Sequence, residues 1–301
     1  KLRLGIGDDA AAWRLETTGV EVCTTDTMVE GSHFTRETGS WSDVGWKLWA
    51  SNLSDVAAMG ATPLAGVVTL GLPGDLPVES IDSLYEGMLE ACARYNTLLV
   101  GGDVVTADKV FITVALTGVC VAEPLTRSAA RPGHVVAITG PVGGSRGGLR
   151  LLQEGTAPSS DAEAALIRSH RRPTPRVEDG QHLMRDAIRC AMDVSDGLLT
   201  DLAKLGRSSG VGAQVRASHV PLPPELLQVF PDDALKLGLG GGEDYQILFT
   251  GPRPIVERVL SEMPGAVIIG EITADDPGVV RVLDDDGAEM LVTDAGWEHL
   301  R

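Results

Sequence analysis

Carboxylates flanked by glycine or hydroxyl residues recur along this chain, and they have the most chemistry to offer. They are Asp9 in Gly5-Ile6-Gly7-Asp8-Asp9-Ala10-Ala11, Asp26 after Thr24-Thr25, Asp55 in Asn52-Leu53-Ser54-Asp55, Asp103 after Gly101-Gly102, and the pair Asp193 and Asp196 in Asp193-Val194-Ser195-Asp196-Gly197. Oxygen donors of this kind suit a hard cation such as Mg²⁺. If the five places converge, bare repulsion would be severe, because two unit charges ~4 Å apart cost about 4 kcal/mol at an effective dielectric near 20. Divalent cations remove that cost and let an acidic protein hold polyanions. The residues therefore predict a cluster of Mg²⁺ ions that binds phosphates, with the neighbouring glycines allowing close approach.

The charge balance sharpens this expectation. The 301 residues carry 25 Lys and Arg against 42 Asp and Glu, a formal net charge of -17. Such an excess repels nucleic acid and anionic membrane, so neither is an expected partner. It would repel a phosphorylated substrate as well, unless cations intervene. The length and the 43% hydrophobic content allow two domains. Cys23, Cys92, Cys120 and Cys190 lie far apart with no metal-binding or redox spacing, which predicts reduced thiols and a cytoplasmic protein. No apolar run approaches the ~18 residues of a membrane span. The chain opens on Lys1 rather than methionine, so the true N-terminus is expected to lie outside it.

The elements that must position these groups follow from periodicity and punctuation. A strand over Val20 to Thr25 would end at Asp26, in keeping with open α/β folds that gather ligands beyond strand ends. Alternation along an extended segment would leave only one of Asp8 and Asp9 facing a site. A helix capped by Ser42 and running to Met59 puts Asn52 and Asp55 on an otherwise apolar face with Leu48 and Met59. Strands are expected over Val67 to Leu72 and Val110 to Cys120, with a helix over Val78 to Tyr95 and an apolar strand before Gly101. Glu123 to Gly133 is the expected linker. Beyond it come a strand from Val135 to Thr139, a helix after the Gly140 to Gly148 run, a capping box at Ser160-x-x-Glu163, a strand feeding Asp193 and a helix through Leu205. The glycine run lacks the Gly-Lys-Ser/Thr ending of a P-loop and suits helix–strand packing. Asp284 to Gly287 reads as a hairpin turn rather than a metal site. The basic loop Arg171 to Arg176 could be solvated or anion-binding.

Seven motifs occur in a fixed order. They are Gly5 to Ala11, Thr25-Asp26-Thr27 with Gly31, His33 and Phe34, Asn52 to Gly60, Gly101-Gly102-Asp103, Leu125-Thr126-Arg127-Ser128, Asp193 to Leu198, and Gly241-Gly242-Glu243-Asp244-Tyr245. Together they resemble the thiamine-monophosphate kinase family, of the superfamily shared with aminoimidazole ribonucleotide synthetase and selenophosphate synthetase. The resemblance runs from Gly5 to Trp297, and the set around 26–34 with Gly296-Trp297-Glu298-His299 favours the thiamine branch.

The resemblance implies ATP-dependent phosphorylation of thiamine phosphate to thiamine diphosphate in a homodimer of α/β (α+β) class. An N-terminal domain, 1–123, would bind ATP and Mg²⁺ and form a β-barrel across the dimer interface. A C-terminal α/β layer domain, 124–301, would complete the site. Asp9, Thr24, Thr25, Asp26, Asp55, Asp103, Asp193 and Asp196 would hold several Mg²⁺ ions. Tyr85, Gly102, Asp103, Arg127 and Ser195 would contact ATP, and His33, Glu243 and Trp297 the thiamine moiety. Asp26, Asp55, Asp103, Arg127 and Asp196 would serve the transfer itself. Trp297 could stack on the cationic thiazolium with about 0.5–2 kcal/mol of cation–π support. The chain departs from the family in Ala129, His134 and Gly240, and the leading helix usual before Gly5 is expected to lie outside this sequence. Two other readings are an ATP-dependent cyclo-ligase of the same superfamily and a non-enzymatic divalent-cation binder.

Overall fold

The computed structural model describes residues 2–4, 8–14, 19–155 and 157–292. Its first half contains β1 (Leu2–Leu4), β2 (Ala11–Arg14), β3 (Val20–Val29), α1 (Trp41–Ala58), β4 (Thr62–Leu72), α2 (Val78–Tyr95), β5 (Leu98–Thr106) and β6 (Phe111–Cys120). The six strands form one sheet in the order β1-β2-β3-β6-β4-β5, antiparallel except for the β4–β5 pair. Buried and half-buried residues alternate along β6, the pattern of a sheet with one covered face. Helices α1 and α2 supply the cover. They cross backbone to backbone, since a Cβ at Gly45 would meet the Leu84 carbonyl oxygen at 2.1 Å. Among the described residues this sheet stays open, with β1 and β5 as its edges, and closes no barrel.

The second half adds β7 (Val135–Ile138), α3 (Gly144–Glu154), α4 (Asp161–Arg171), α5 (Val177–Arg185), β8 (Cys190–Asp193), α6 (Leu198–Ser209) and β9 (Gly212–Arg216). It continues with α7 (Pro224–Val229), α8 (Ala234–Gly240), β10 (Ile247–Gly251), α9 (Arg253–Glu262), β11 (Val267–Thr273) and β12 (Val280–Leu283). These strands form a second sheet, β12-β9-β11-β7-β10-β8, in which only β12 and β9 run parallel. The molecule is thus a mixed α/β fold of two domains. Helix α1 joins them, packing on β3 and β6 on one side and on α5 and β8 on the other. That double duty explains why nearly every residue from Val44 to Ala58 is buried, as in a helix with no solvent face. No described helix is long and apolar enough to cross a membrane.

Several sequence expectations shift. Strand β3 does not stop at Thr25, because it pairs with β6 from Val20 opposite Cys120 to Val29 opposite Phe111. The polar Thr24 to Thr27 stretch interrupts the hydrophobicity, not the pairing. The cap of α1 is Ser40, not Ser42, since Ser40 and Asp43 close a reciprocal capping box. At Ser160 the hydroxyl does accept from the Glu163 N–H, but the Glu163 carboxylate turns to Ser159 instead of completing the box. The sequence reading has no helix at α5, although Val177, Gly180, Leu183 and Met184 are buried at helical spacing, nor at α7 and α8, which are too short to show a repeat. The glycine run serves packing: a Cβ at Gly148 would meet the Leu166 carbonyl oxygen at 2.1 Å, where α3 crosses α4. Asp284 accepts from the Asp286 and Ala288 N–H groups, which is the expected turn.

Candidate active site

A cleft of about 600 Å³ opens between the two domains. Asp9, Thr24, Asp26, Asp55, Arg127, Asp193, Ser195, Asp196, His33 and Glu243 all line it. One carboxylate oxygen each from Asp9, Asp55 and Asp193 lie within 4.8 Å of one another, from three distant parts of the chain. The route to this convergence is not the expected one. Asp193 is the last residue of β8, but Asp26 lies inside β3, opposite Val114 of β6, and leaves the sheet face toward α1. The N-terminal sheet, being largely antiparallel, presents its site from the strand face and not beyond strand ends.

Hydrogen bonds hold these carboxylates in place. The Thr24 hydroxyl donates to Asp55 Oδ2 at 2.5 Å, and the Ser54 hydroxyl to Asp193 Oδ2 at 2.9 Å. Burial, then the charges of Asp26, Asp193 and Asp9, hold the Asp55 carboxyl well above the usual carboxylate range. Burial and the nearby Asp9 raise Asp193 likewise. Asp9 Oδ2 is buried and accepts no hydrogen bond from the described residues. An orphaned buried carboxylate oxygen, in a group whose other members offer carboxylate oxygens, fits a hard divalent cation.

Both Asp8 and Asp9 face the cleft, contrary to strict alternation, because the chain bends at residues 9 and 10 where an extended segment would have alternated. Asp8 Oδ2 accepts the Arg127 backbone N–H at 3.0 Å, and the Arg127 guanidinium donates to Asp9. Burial and the Asp9 charge push the Asp8 carboxyl up to about 6.

The Asp193 to Gly197 loop is shaped by a residue the sequence reading passed over. Fully buried Asp201 accepts the backbone N–H groups of Ser195, Asp196 and Gly197 through one oxygen, at 3.0, 2.9 and 3.1 Å. Its other oxygen accepts from Lys204 at 2.8 Å, and Lys204 also donates to Asp196. Glu243 and Tyr245 sit at φ +65° and +50°, a left-handed strain of about 1–3 kcal/mol each. The loop bears it through Glu243 N–H to the Ser195 carbonyl, 2.8 Å, and Tyr245 N–H to that of Val194, 3.0 Å. Asp244 takes the N-terminus of α3, accepting from Gly143 at 2.5 Å and Ser145 at 3.0 Å, so that helix end is not left for a phosphate. Burial pushes the Asp244 carboxyl up to about 7 despite those bonds.

Lys47, from the middle of α1, crosses the domain boundary to donate to Glu243 Oε2 at 2.7 Å. His170 lies beside them, with Nε2 3.3 Å from Lys47 Nζ and Nδ1 3.1 Å from the Ser145 hydroxyl. Burial, then the Lys47 charge, lowers His170 to about 3, so its 3.4 Å approach to Glu243 is a contact of a neutral ring at neutral pH. Burial works against the Glu243 charge, but the Lys47 ammonium outweighs it and holds the carboxyl below its usual range. The sequence signal for Lys47 was its i, i+4, i+8 spacing with Ser51 and Asp55, a polar stripe toward the cleft.

Other expected residues lie elsewhere. Asp103 and Gly102 sit on exposed edge strand β5, and Tyr85 packs onto the first-domain core, none of them lining the cleft. A Cβ at Gly102 would meet the Val68 carbonyl oxygen at 1.9 Å, so close strand approach already requires glycine there. Thr25 reaches the cleft edge, but its hydroxyl donates to the Val114 carbonyl at 2.9 Å. Arg171 and Arg172 are spent on the first domain: Arg171 donates to the Thr38 carbonyl, and Arg172 to Asp43, Glu90 and Ser42. Trp297 and Gly5 to Gly7 lie outside the described residues.

Comparisons with known proteins agree with one another. Residues 7–122 match the N-terminal domain of AIR synthase related proteins, and 131–283 match their C-terminal domain. The chain is 36% identical to the thiamine-monophosphate kinase of Escherichia coli (strain K12) over 306 residues, 99% of this chain and 92% of that one. It is 34% identical to that of Bacillus subtilis (strain 168) over 307 residues, 99% and 94%. Among solved structures, AaThiL complexed with AMPPCP and TMP superposes with a TM-score of 0.88 at 34% identity, covering 98% of this chain and 92% of that one.

Proposed function

We infer the reaction from kinship joined to the cleft: the chain belongs to the thiamine-monophosphate kinase family, within the AIR synthase related proteins. It is a kinase that uses ATP to phosphorylate thiamine phosphate, giving thiamine diphosphate and ADP. The observation that carries this is the match to AaThiL, which was solved with AMPPCP and TMP, over 98% of this chain.

The chemistry asks little covalent work of the protein. A phosphate monoester is already an anionic nucleophile, with a second pKa of about 6, so no catalytic base is needed. One of its oxygens attacks the γ-phosphorus in line, a new P–O bond forms, and the bond to the ADP oxygen breaks. Catalysis is then positioning and charge neutralisation. Bound Mg²⁺ ions would supply most of that neutralisation, held by Asp9, Asp26, Asp55, Asp193 and Asp196. Thr24 orients Asp55, Ser54 orients Asp193, and Arg127 presents a cation beside Asp9. Ser195 is carried on the loop that Asp201 fixes, where it can meet the nucleotide. Glu243, kept ionised by Lys47, and His33 would hold the thiamine moiety, with Trp297 to stack on its ring.

Asp103, Gly102 and Tyr85 need a second subunit if they are to serve a nucleotide. Strand β5 is an edge, and its Leu98, Val100 and Val104 are 60–64% exposed, an apolar row with unpaired backbone. We place a homodimer there, with two such sheets meeting to form the shared barrel and each β5 delivering Asp103 to its neighbour's cleft. The domain boundary belongs at 123/124, and the four free cysteines suit a cytoplasmic protein. The test is incubation with ATP, Mg²⁺ and thiamine phosphate followed by chromatography. Thiamine diphosphate with equimolar ADP is expected; ADP with free phosphate and no diphosphate product would overturn the reading.

A further inference from the structure

Among the described residues, Arg127, Arg146 and Lys204 are the lysine and arginine side chains that line the cleft. Arg127 is committed to Asp8 and Asp9. Lys204 stands differently, because its two carboxylate partners are unlike each other. Asp201 is wholly buried, and its second oxygen is taken by three backbone N–H groups, so it is a fixed anchor. Asp196 is carried on the loop at the cleft wall, with a side chain 20% exposed. The ammonium bonds both, and the Lys204 side chain is 30% exposed. A lysine head is a compact point charge with three donors on a flexible stem, able to keep one partner while changing another.

We propose that Lys204 is an exchangeable counter-ion. In the cation-free cleft it neutralises Asp196; once Asp196 is committed to a divalent cation, the ammonium stays tethered to Asp201 and donates to a phosphate oxygen of the nucleotide. This deepens the kinase reading and rests on Asp196 as a cation ligand. It gives Lys204 two effects of opposite sign, competing with the metal and assisting the phosphate. A lysine that merely ordered the Asp193 to Gly197 loop would assist both.

The experiment uses the full chain with Lys204→Met and Lys204→Arg, each checked for folding by circular dichroism, with Lys204→Gln replacing Met if Met does not fold. Mn²⁺ binding to the nucleotide-free protein is read by electron paramagnetic resonance of free Mn²⁺. Affinity for a non-hydrolysable ATP analogue at saturating Mg²⁺ is read by calorimetry. Lys204→Met should tighten Mn²⁺ at least about threefold by removing a competing charge. It should weaken the analogue roughly tenfold, the value of a charge-assisted hydrogen bond. Lys204→Arg should hold both near wild type. Mn²⁺ binding unchanged or weakened in Lys204→Met, or analogue binding unchanged, overturns the proposal. Thiamine diphosphate formation by the wild type is measured alongside. Absent product with both shifts present would sink the kinase reading and leave the counter-ion exchange standing; product without the shifts would do the reverse.

Discussion

Replacing Lys47 by methionine keeps the stem of the side chain and deletes its charge, which tests how the two domains are held in register at the substrate end of the cleft. Lys47 is 6% exposed in its side chain and Glu243 29%. Stranding one member of a buried ion pair costs ~3–5 kcal/mol, and the partial access of water to Glu243 brings the expected loss to about 2–3 kcal/mol. The loss should depend on pH. In the wild type Glu243 is held below its ordinary range, so the pair contributes stability above the unfolded pKa of about 4.3 and loses it as pH falls through the lower folded value. Without Lys47, burial raises the Glu243 carboxyl, so the deficit should be full at pH 8 and shrink toward pH 4. Urea unfolding followed by the fluorescence of buried Trp46 and Trp49, on the same helix, reports it. Adding Glu243→Gln should recover part of the loss, with a coupling of about 1–2 kcal/mol in the double-mutant cycle. A cycle additive within about 0.3 kcal/mol, or a deficit that does not vary with pH, would refute the reasoning.

Other expectations follow from the same site. Asp55→Asn should abolish turnover yet raise the melting temperature of the cation-free protein. Because the Asp55 and Asp193 carboxyls are raised on folding, their contribution is present below about pH 4 and lost as pH climbs through the folded values. A calorimetric scan at pH 8 with chelator checks it, and a lower melting temperature for the variant would count against the repulsion argument. Mg²⁺ should stabilise the wild type by about 2.7 kcal/mol at a hundredfold excess over its dissociation constant, and Asp55→Asn by much less. Val104→Lys, on an edge residue 60% exposed, should yield monomers in sedimentation velocity and little activity. A dimer of unchanged tightness would move the interface elsewhere. Trp297→Ala should raise KM for thiamine phosphate far more than for ATP, and equal rises would remove its substrate role.

The carboxylates were legible in the sequence because each stands in a short glycine- or hydroxyl-rich motif, and Asp9, Asp55 and Asp193 do meet in space. The manner of meeting was less legible. Asp26 looked like a strand terminus because hydrophobicity stops at Cys23, yet cross-strand pairing to Phe111 carries β3 on to Val29. Asp103 shares the local pattern of Asp193, but the motif does not say where its strand lies in the sheet, and β5 turns out to be an edge away from the cleft. Lys47 and His170 were missed for a different reason. Each is a lone polar residue in an otherwise ordinary helix, and the partner that gives it meaning lies 196 residues away for Lys47, at Glu243. Asp201 and Lys204 went unread because an i, i+3 acid–base pair on a helix carries no signal of its own that Asp201 is fully buried under the loop it holds.

The central claim is that carboxylates distant in sequence gather around divalent cations and so let an acidic cleft receive phosphates. Anomalous diffraction at a wavelength sensitive to manganese, from crystals grown with Mn²⁺ and a non-hydrolysable ATP analogue, tests it most directly. The predicted result is a manganese peak bounded by Asp9, Asp55 and Asp193, with analogue phosphate density against it. Manganese bound only at surface carboxylates such as the Asp284 to Asp286 turn, with the three cleft aspartates bare beside a bound analogue, would contradict it.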